Sequence, residues 1–149
     1  MPQHLKIITP IEILKLENNS YHILVHAEVD GICGDFIIDT GASMSVMDKT
    51  LFCENDEILD PLNMKSGGIS GDIDEVKIVR ISEFKIGGQI TDNTQIALID
   101  MEYINELYMQ SQSRKIIGLL GSDFCVKHRA IIDYGKKRLT FKVEKVEEE

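Results

Sequence analysis

The chain has 149 residues, 43% of them hydrophobic and 28% charged, which suits one globular domain and leaves little room for two. Its formal net charge is −9 with no long basic stripe to offset it, so nucleic acid is excluded as an expected partner. No stretch is long and apolar enough to span a bilayer, so no membrane partner is expected.

Tryptophan is absent and isoleucine is plentiful, which predicts an aliphatic, strand-rich core. Residues 1–19 read as an N-terminal segment. The strand His22–Val29 is followed by Asp30-Gly31, a hairpin-turn signal. Phe36-Ile37-Ile38 is a short continuous apolar run that reads as a buried strand ending at Asp39. Residues 44–53 read as a short helical turn. Lys65 to Asp74, with Gly67, Gly68 and Gly71 in a Ser/Asp setting, reads as a mobile hairpin tip. Val76–Ile86 and Gln89–Ile99 read as strands joined by the Gly87-Gly88 turn.

Residues 101–112 place Met101, Ile104, Leu107 and Tyr108 at helical spacing, which predicts a short amphipathic helix whose apolar stripe packs on the core. Ile116-Ile117 reads as a strand and Leu120–Lys127 as a helix. A final hairpin runs from Ala130-Ile131-Ile132, through Asp133-Tyr134-Gly135-Lys136, to Leu139–Val143. Glu144 to Glu149 form a solvated acidic tail. The class is mostly β, with one or two short helices.

Asp39-Thr40-Gly41 carries the chemistry. A carboxylate at the end of a buried strand is held by rigid backbone. Gly41 lets the chain turn sharply and brings backbone N–H groups to that carboxylate. Thr40 offers a hydroxyl to a neighbouring loop, and Ser43 offers one to the outer carboxylate oxygen. Metal-free peptide hydrolysis needs a base to activate water and an acid to protonate the amide. Two carboxylates forced together supply both, because they cannot readily ionise at once and so share one proton.

Three segments in order resemble the retropepsin-like aspartic peptidases, single-lobed relatives of pepsin and of the retroviral proteases. Phe36-Ile37-Ile38-Asp39-Thr40-Gly41-Ala42-Ser43 is similar to the family's hydrophobic-Asp-Thr-Gly-Ala-Ser signature. Gly67-Gly68-Ile69-Ser70-Gly71 stands at the distance expected of the flap. Ile116-Ile117-Gly118-Leu119-Leu120-Gly121-Ser122-Asp123-Phe124 looks like the hydrophobic-hydrophobic-Gly segment and its helix. The resemblance spans residues 20–143 and implies a closed β-barrel lobe and an aspartic-type endopeptidase, a hydrolase acting on a peptide or protein substrate. It further implies a homodimer in which each subunit donates Asp39, with the N-terminal segment 1–19 as a candidate strand at the interface. Thr40, Gly41, Ala42 and Ser43 would support the dyad, with Gly67, Gly68, Ile69, Ser70 and Gly71 on the substrate. No metal and no cofactor are implied. The segment 100–115 is longer than in viral members, and the flap tip has no aromatic residue. A non-catalytic dimerisation or peptide-binding module on the same fold is the alternative.

Ala130-Ile131-Ile132-Asp133 echoes the run before Asp39, but Tyr and then basic residues follow, as in a hairpin turn. Asp123 reads as a helix N-terminal charge. His4, His22, His26 and His128 show no metal spacing and read as ordinary polar side chains. Cys33, Cys53 and Cys125 are odd in number and lack C-x-x-C spacing, so free buried thiols in a reducing compartment are expected. With no basic segment and apolar run at the start, the expectation is a soluble cytoplasmic protein.

Overall fold

A computed structural model describes residues 3–16, 19–52, 59–62, 77–81, 83–91, 94–111 and 114–144. The chain forms β1 (His4–Pro10), β2 (Glu12–Lys15), β3 (Tyr21–Val29), β4 (Ile32–Ile38), β5 (Val46–Asp48), α1 (Lys49–Phe52), β6 (Leu59–Leu62), β7 (Lys77–Ile81) and β8 (Phe84–Ile86). It continues through β9 (Gln89–Thr91), β10 (Thr94–Ile99), α2 (Glu102–Ser111), β11 (Ile116–Leu120), α3 (Ser122–Lys127), β12 (Ile131–Asp133) and β13 (Arg138–Glu144). The fold is mostly β, with its large sheet curled into a half-barrel.

The large sheet runs β6-β7-β10-β5-β11-β4-β3-β8-β9, with β2 added against β3. The β3–β4 hairpin follows from its turn chemistry. Asp30 (φ 48°) and Gly31 (φ 87°) both take the left-handed region, as a two-residue hairpin turn of matching twist requires. Three expected elements are corrected by strand pairing. Residues 44–53 are not simply a helical turn, because Val46–Asp48 is hydrogen-bonded as β5 between β10 and β11. Leu120 belongs to β11, where it pairs with Ile38, and the following helix starts at Ser122. The long strands at 76–86 and 89–99 each divide into two shorter ones.

The main core fills the inside of the curl. Phe36, Met47, Ile81, Phe84, Ile96, Leu120 and Phe141 are all fully buried there. A small second core lies on the opposite side of β4 and β11, where Leu24, Ile37 and Ile116 meet Met101 and Tyr108. The alternation of strand side chains makes this split: Phe36 and Ile38 face the main core and Ile37 the second. The second core is where α2 docks. Asp100 starts that helix by accepting the Glu102 N–H at 2.9 Å. Asn105 then ties it to β11, donating to the Ile116 carbonyl at 3.0 Å and accepting its N–H at 2.7 Å.

The N-terminal segment contributes β1, which pairs along its whole length with β13 of the same chain, from His4 opposite Glu144 to Pro10 opposite Arg138. With β12 these strands make a separate three-stranded sheet. Cys33 is exposed rather than buried, because pairing with Glu28 puts it on the outer face of the hairpin. Cys125 is a half-buried free thiol, its pKa pushed up by burial and then by the nearby Asp123 charge. No helix among the described residues is long and apolar enough to cross a membrane.

Candidate active site

Strand β11 lies between β4 and β5, parallel to the first and antiparallel to the second. The loop joining β4 to β5, residues 39–45, must therefore pass over the C-terminal end of β11. Three hydrogen bonds fix it there. The Asp39 N–H donates to the Leu120 carbonyl at 2.8 Å. The Ser122 N–H donates to the Ala42 carbonyl at 2.7 Å. The buried Gly121 N–H donates to Ser45 Oγ at 2.9 Å.

This crossing leaves no room for side chains beneath it. A Cβ on Gly121 would stand 2.7 Å from the Ala42 carbonyl oxygen, and one on Gly118 would stand 2.3 Å from the Phe36 ring. The two glycines of the Ile116–Phe124 segment are thus contact points between β11, β4 and the Asp39 loop.

Asp39 is exposed at the end of β4. Its Oδ1 accepts the Gly41 N–H at 3.0 Å, and the Ala42 N–H closes the turn on the Asp39 carbonyl at 3.1 Å. Thr40 and Ser43 are also exposed. Neither hydroxyl is hydrogen-bonded within the described residues, so Ser43 does not reach the Asp39 carboxylate in the single chain. Ala42 acts through its carbonyl rather than its side chain. Gly67, Gly68, Ile69, Ser70 and Gly71 lie outside the described residues.

Asp123 does more than charge a helix start. It sits in the first turn of α3 and accepts the Phe124 N–H at 2.8 Å. The same carboxylate accepts the Ser45 N–H at 3.0 Å and the Ser45 hydroxyl at 2.8 Å. Ser45 is fully buried, so the far end of the Asp39 loop is anchored by a partly buried carboxylate. Asp133 is a turn residue, its Oδ1 accepting the Lys136 N–H at 2.9 Å.

A cavity of about 370 Å³ opens beside Asp39 and Thr40. Ile37 and Leu119 form its strand wall, and Ile104 and Tyr108 of α2 face them. Tyr21 and Tyr134, both exposed, stand on its border. His22 also lines it, and its Nδ1 is hydrogen-bonded to the Tyr108 hydroxyl. Burial pushes the Tyr108 pKa up to about 12. Met101, Ile104 and Tyr108 pack on the second core, as their spacing predicts, and Ile104 and Tyr108 are cavity wall as well. His22, Tyr108 and Tyr134 carry no motif. The one sequence signal for this wall is the added length of segment 100–115 between two strands. Among the described residues no group of three or more His, Cys, Asp or Glu is placed to hold a metal ion.

The aspartyl protease family model matches residues 25–124, well over half of the chain. The fold is similar to the crystal structure of a retropepsin-like aspartic protease from Rickettsia conorii. That match has 17% identity and a TM-score of 0.55, covering 97% of this chain and 95% of that one. It is also similar to the retroviral protease-like domain of Ddi1 from Leishmania major, at 16% identity and a TM-score of 0.50, covering 83% of this chain and 93% of that one. No curated protein matches the sequence. With a half-barrel sheet, an Asp-Thr-Gly loop laid over β11 and a family match that spans both, the chain belongs to the aspartyl protease family.

Proposed function

We propose that the chain is an aspartic endopeptidase, acting as a homodimer on peptide or protein substrates, with Asp39 of each subunit as the catalytic carboxylate. The observation that carries this reading is the placement of Asp39. Its backbone is pinned to β11, its carboxylate is exposed, and an apolar cavity opens directly beside it. One Asp39 oxygen accepts the Gly41 N–H, and among the described residues nothing else is hydrogen-bonded to the carboxylate.

One carboxylate cannot serve as both acid and base, so the second comes from the partner's copy across a two-fold axis. Brought together, the pair holds one proton and titrates as a unit. The ionised member removes a proton from water as that water attacks the scissile carbonyl. The protonated member polarises the carbonyl oxygen and then supplies the proton for the leaving amine. The Gly41 N–H keeps one oxygen oriented through the cycle. Thr40, exposed and unbonded among the described residues of its own chain, reaches the partner's loop and locks the two Asp39 residues in place. The row Ile8–Thr140–Ile131, in register on the small sheet and apolar at both exposed ends, offers a contact for the second copy. The free thiols Cys33 and Cys125 fit a reducing, cytoplasmic setting.

The test is cleavage of a mixed peptide library between about pH 3 and 7, with and without a statine-type inhibitor, alongside Asp39→Asn. Wild type should cleave and be inhibited, and Asp39→Asn should lose on the order of 10²–10⁴-fold in rate. Equal inertness of both proteins in a dimer confirmed by sedimentation would make the chain a binding module. A monomer at high concentration would remove the second carboxylate and end the dyad mechanism.

A further inference from the structure

The turn of the β3–β4 hairpin carries a carboxylate that its surroundings disfavour. Asp30 takes φ 48° beside Gly31 at φ 87°, and asparagine or glycine meets that backbone demand as well as aspartate does. The turn therefore does not need the acid. Asp30 Oδ2 is buried and, among the described residues, accepts no hydrogen bond. An ionised oxygen placed so has lost water without gaining a donor. The turn also faces a second carboxylate. Val29 pairs with Phe84 and Glu28 with Lys85. One step further along this antiparallel register Asp30 stands opposite Glu83, and the Asp30 N–H donates to the Glu83 carbonyl at 3.0 Å. Like charges directly opposite each other on paired strands are destabilising. The other charged groups here are engaged elsewhere. Lys85 lies 3.5 Å from Glu28, and further down the hairpin His26 lies 3.6 Å from Asp35. Cys33, opposite Glu28, has its pKa raised by desolvation first and then by the Glu28 charge.

We propose that Asp30 is an acid-set latch: protonation of its carboxyl group tightens the junction between the β3–β4 turn and the start of β8, so that the fold is held more firmly in acid than at neutral pH. The junction seals one end of the main core. Val29 and Phe84 are fully buried beside it, and Phe84 packs edge-on against Phe36 of β4, the strand that leads to Asp39. Burial first, and then the Glu83 charge, raise the Asp30 pKa above its ordinary value, with backbone hydrogen bonding at Glu83 offsetting part of the rise. Above that raised value Asp30 is ionised in both the folded and the unfolded chain, and the full penalty applies. As pH falls through it, the folded chain takes up a proton that the unfolded chain, with its ordinary value of 3.8, does not yet bind. Stability therefore rises as pH falls, and it levels off once both states are protonated. A carboxylate held in an ion pair behaves in the opposite sense. The latch does not depend on the role of Asp39. For a peptidase whose dyad must keep one proton, it makes the fold firmest where that proton is retained.

The experiment is urea unfolding of the full chain at one fixed protein concentration, from about pH 3.5 to about pH 7. Wild type is compared with Asp30→Asn, Asp30→Gly, Glu83→Gln and the Asp30→Asn/Glu83→Gln double variant. Asp30→Asn should gain on wild type as pH rises, its midpoint moving up by ~0.1–0.5 M relative to wild type across that range. Groups away from the junction cancel in this difference. Asp30→Gly should show the same pH-dependent gain and keeps the test open if the asparagine variant fails to fold, because Gly-Gly also suits the turn. Glu83→Gln leaves Asp30 in place and should recover part of the gain at pH ~7. Combined with Asp30→Asn it should give less than the sum of the two single changes. A wild-type-to-variant difference that is flat with pH, or in which Asp30→Asn loses ground as pH rises, overturns the inference, since the folded chain would then accommodate the Asp30 charge. Strict additivity of the two changes also overturns it, because the junction would not be a pair of facing carboxylates.

Discussion

Ser45 and Asp123 are 78 residues apart in sequence and joined by two hydrogen bonds, from the Ser45 N–H at 3.0 Å and from its hydroxyl at 2.8 Å. The same hydroxyl accepts the buried Gly121 N–H. One serine thereby links the end of the Asp39 loop, the end of β11 and the start of α3. Ser45→Ala removes the acceptor for a buried N–H as well as a charge-assisted bond. It should destabilise the protein by ~1–3 kcal/mol. Urea unfolding should show a lower midpoint at constant slope. Cleavage should fall further than stability predicts, because the loop that carries Asp39 loses its far anchor.

Glycine substitutions should separate folding from activity. A Cβ at position 118 would meet the Phe36 ring at 2.3 Å and the Val46 carbonyl at 2.6 Å. Phe36 cannot move aside, since it is fully buried and packed edge-on against Phe84 at 5.3 Å between ring centres. Gly118→Ala should therefore cost at least ~1–3 kcal/mol by overpacking, seen as a lower Tm or loss of soluble protein. At position 41 the nearest atom to a new Cβ is Asp39 Oδ1, at 3.3 Å. Gly41→Ala should fold nearly as well as wild type and yet lose cleavage, because the group it crowds is the carboxylate.

These two segments also show what sequence can and cannot reveal. The β3–β4 hairpin and the buried run before Asp39 are legible because their signals are local: a turn pair that tolerates positive φ, then apolar residues in succession. The three segments around Asp39, Gly67–Gly71 and Gly121 point to the family because their order and spacing are specific. The insertion of β11 between β4 and β5 is not local, and no periodicity encodes it. Nor does any pattern announce that β1 pairs with β13 at the other end of the chain, or that Tyr108 meets His22. The Met101–Tyr108 stripe predicts a helix with one apolar face but not which surface that face covers. Here it covers the Ile37 side of the sheet, and so it walls a cavity next to Asp39.

Thr40 offers a way to test assembly apart from chemistry. It is exposed, and its hydroxyl is not hydrogen-bonded within the described residues of its own chain. Thr40→Ala should leave the stability of the isolated fold within about 0.5 kcal/mol of wild type, as expected of a surface change. If its hydroxyl locks the two Asp39 loops together, the same change should weaken the dimer, read by sedimentation over a concentration series. An unchanged dimer dissociation constant would remove Thr40 from the interface.

Tyr108 should give the protein an alkaline signature. Burial holds its pKa at about 12 in the folded state, against an ordinary value near 10. Below pH ~10 both folded and unfolded states keep the phenolic proton, so the residue contributes no pH dependence. Between about pH 10 and 12 the unfolded chain releases that proton while the folded chain retains it. The unfolded state then binds fewer protons, and stability falls as pH rises. Tyr108→Phe cannot ionise and lacks this slope, although it also loses the bond to His22 and should start ~0.5–1.5 kcal/mol less stable at neutral pH. Urea midpoints measured for both proteins from pH ~8 to ~11 should therefore converge, with every other titrating group cancelling in the difference. A constant gap across that range would mean that the Tyr108 hydroxyl is open to solvent, and that α2 does not pack against the sheet as closely as its contacts with His22 and Ile116 require.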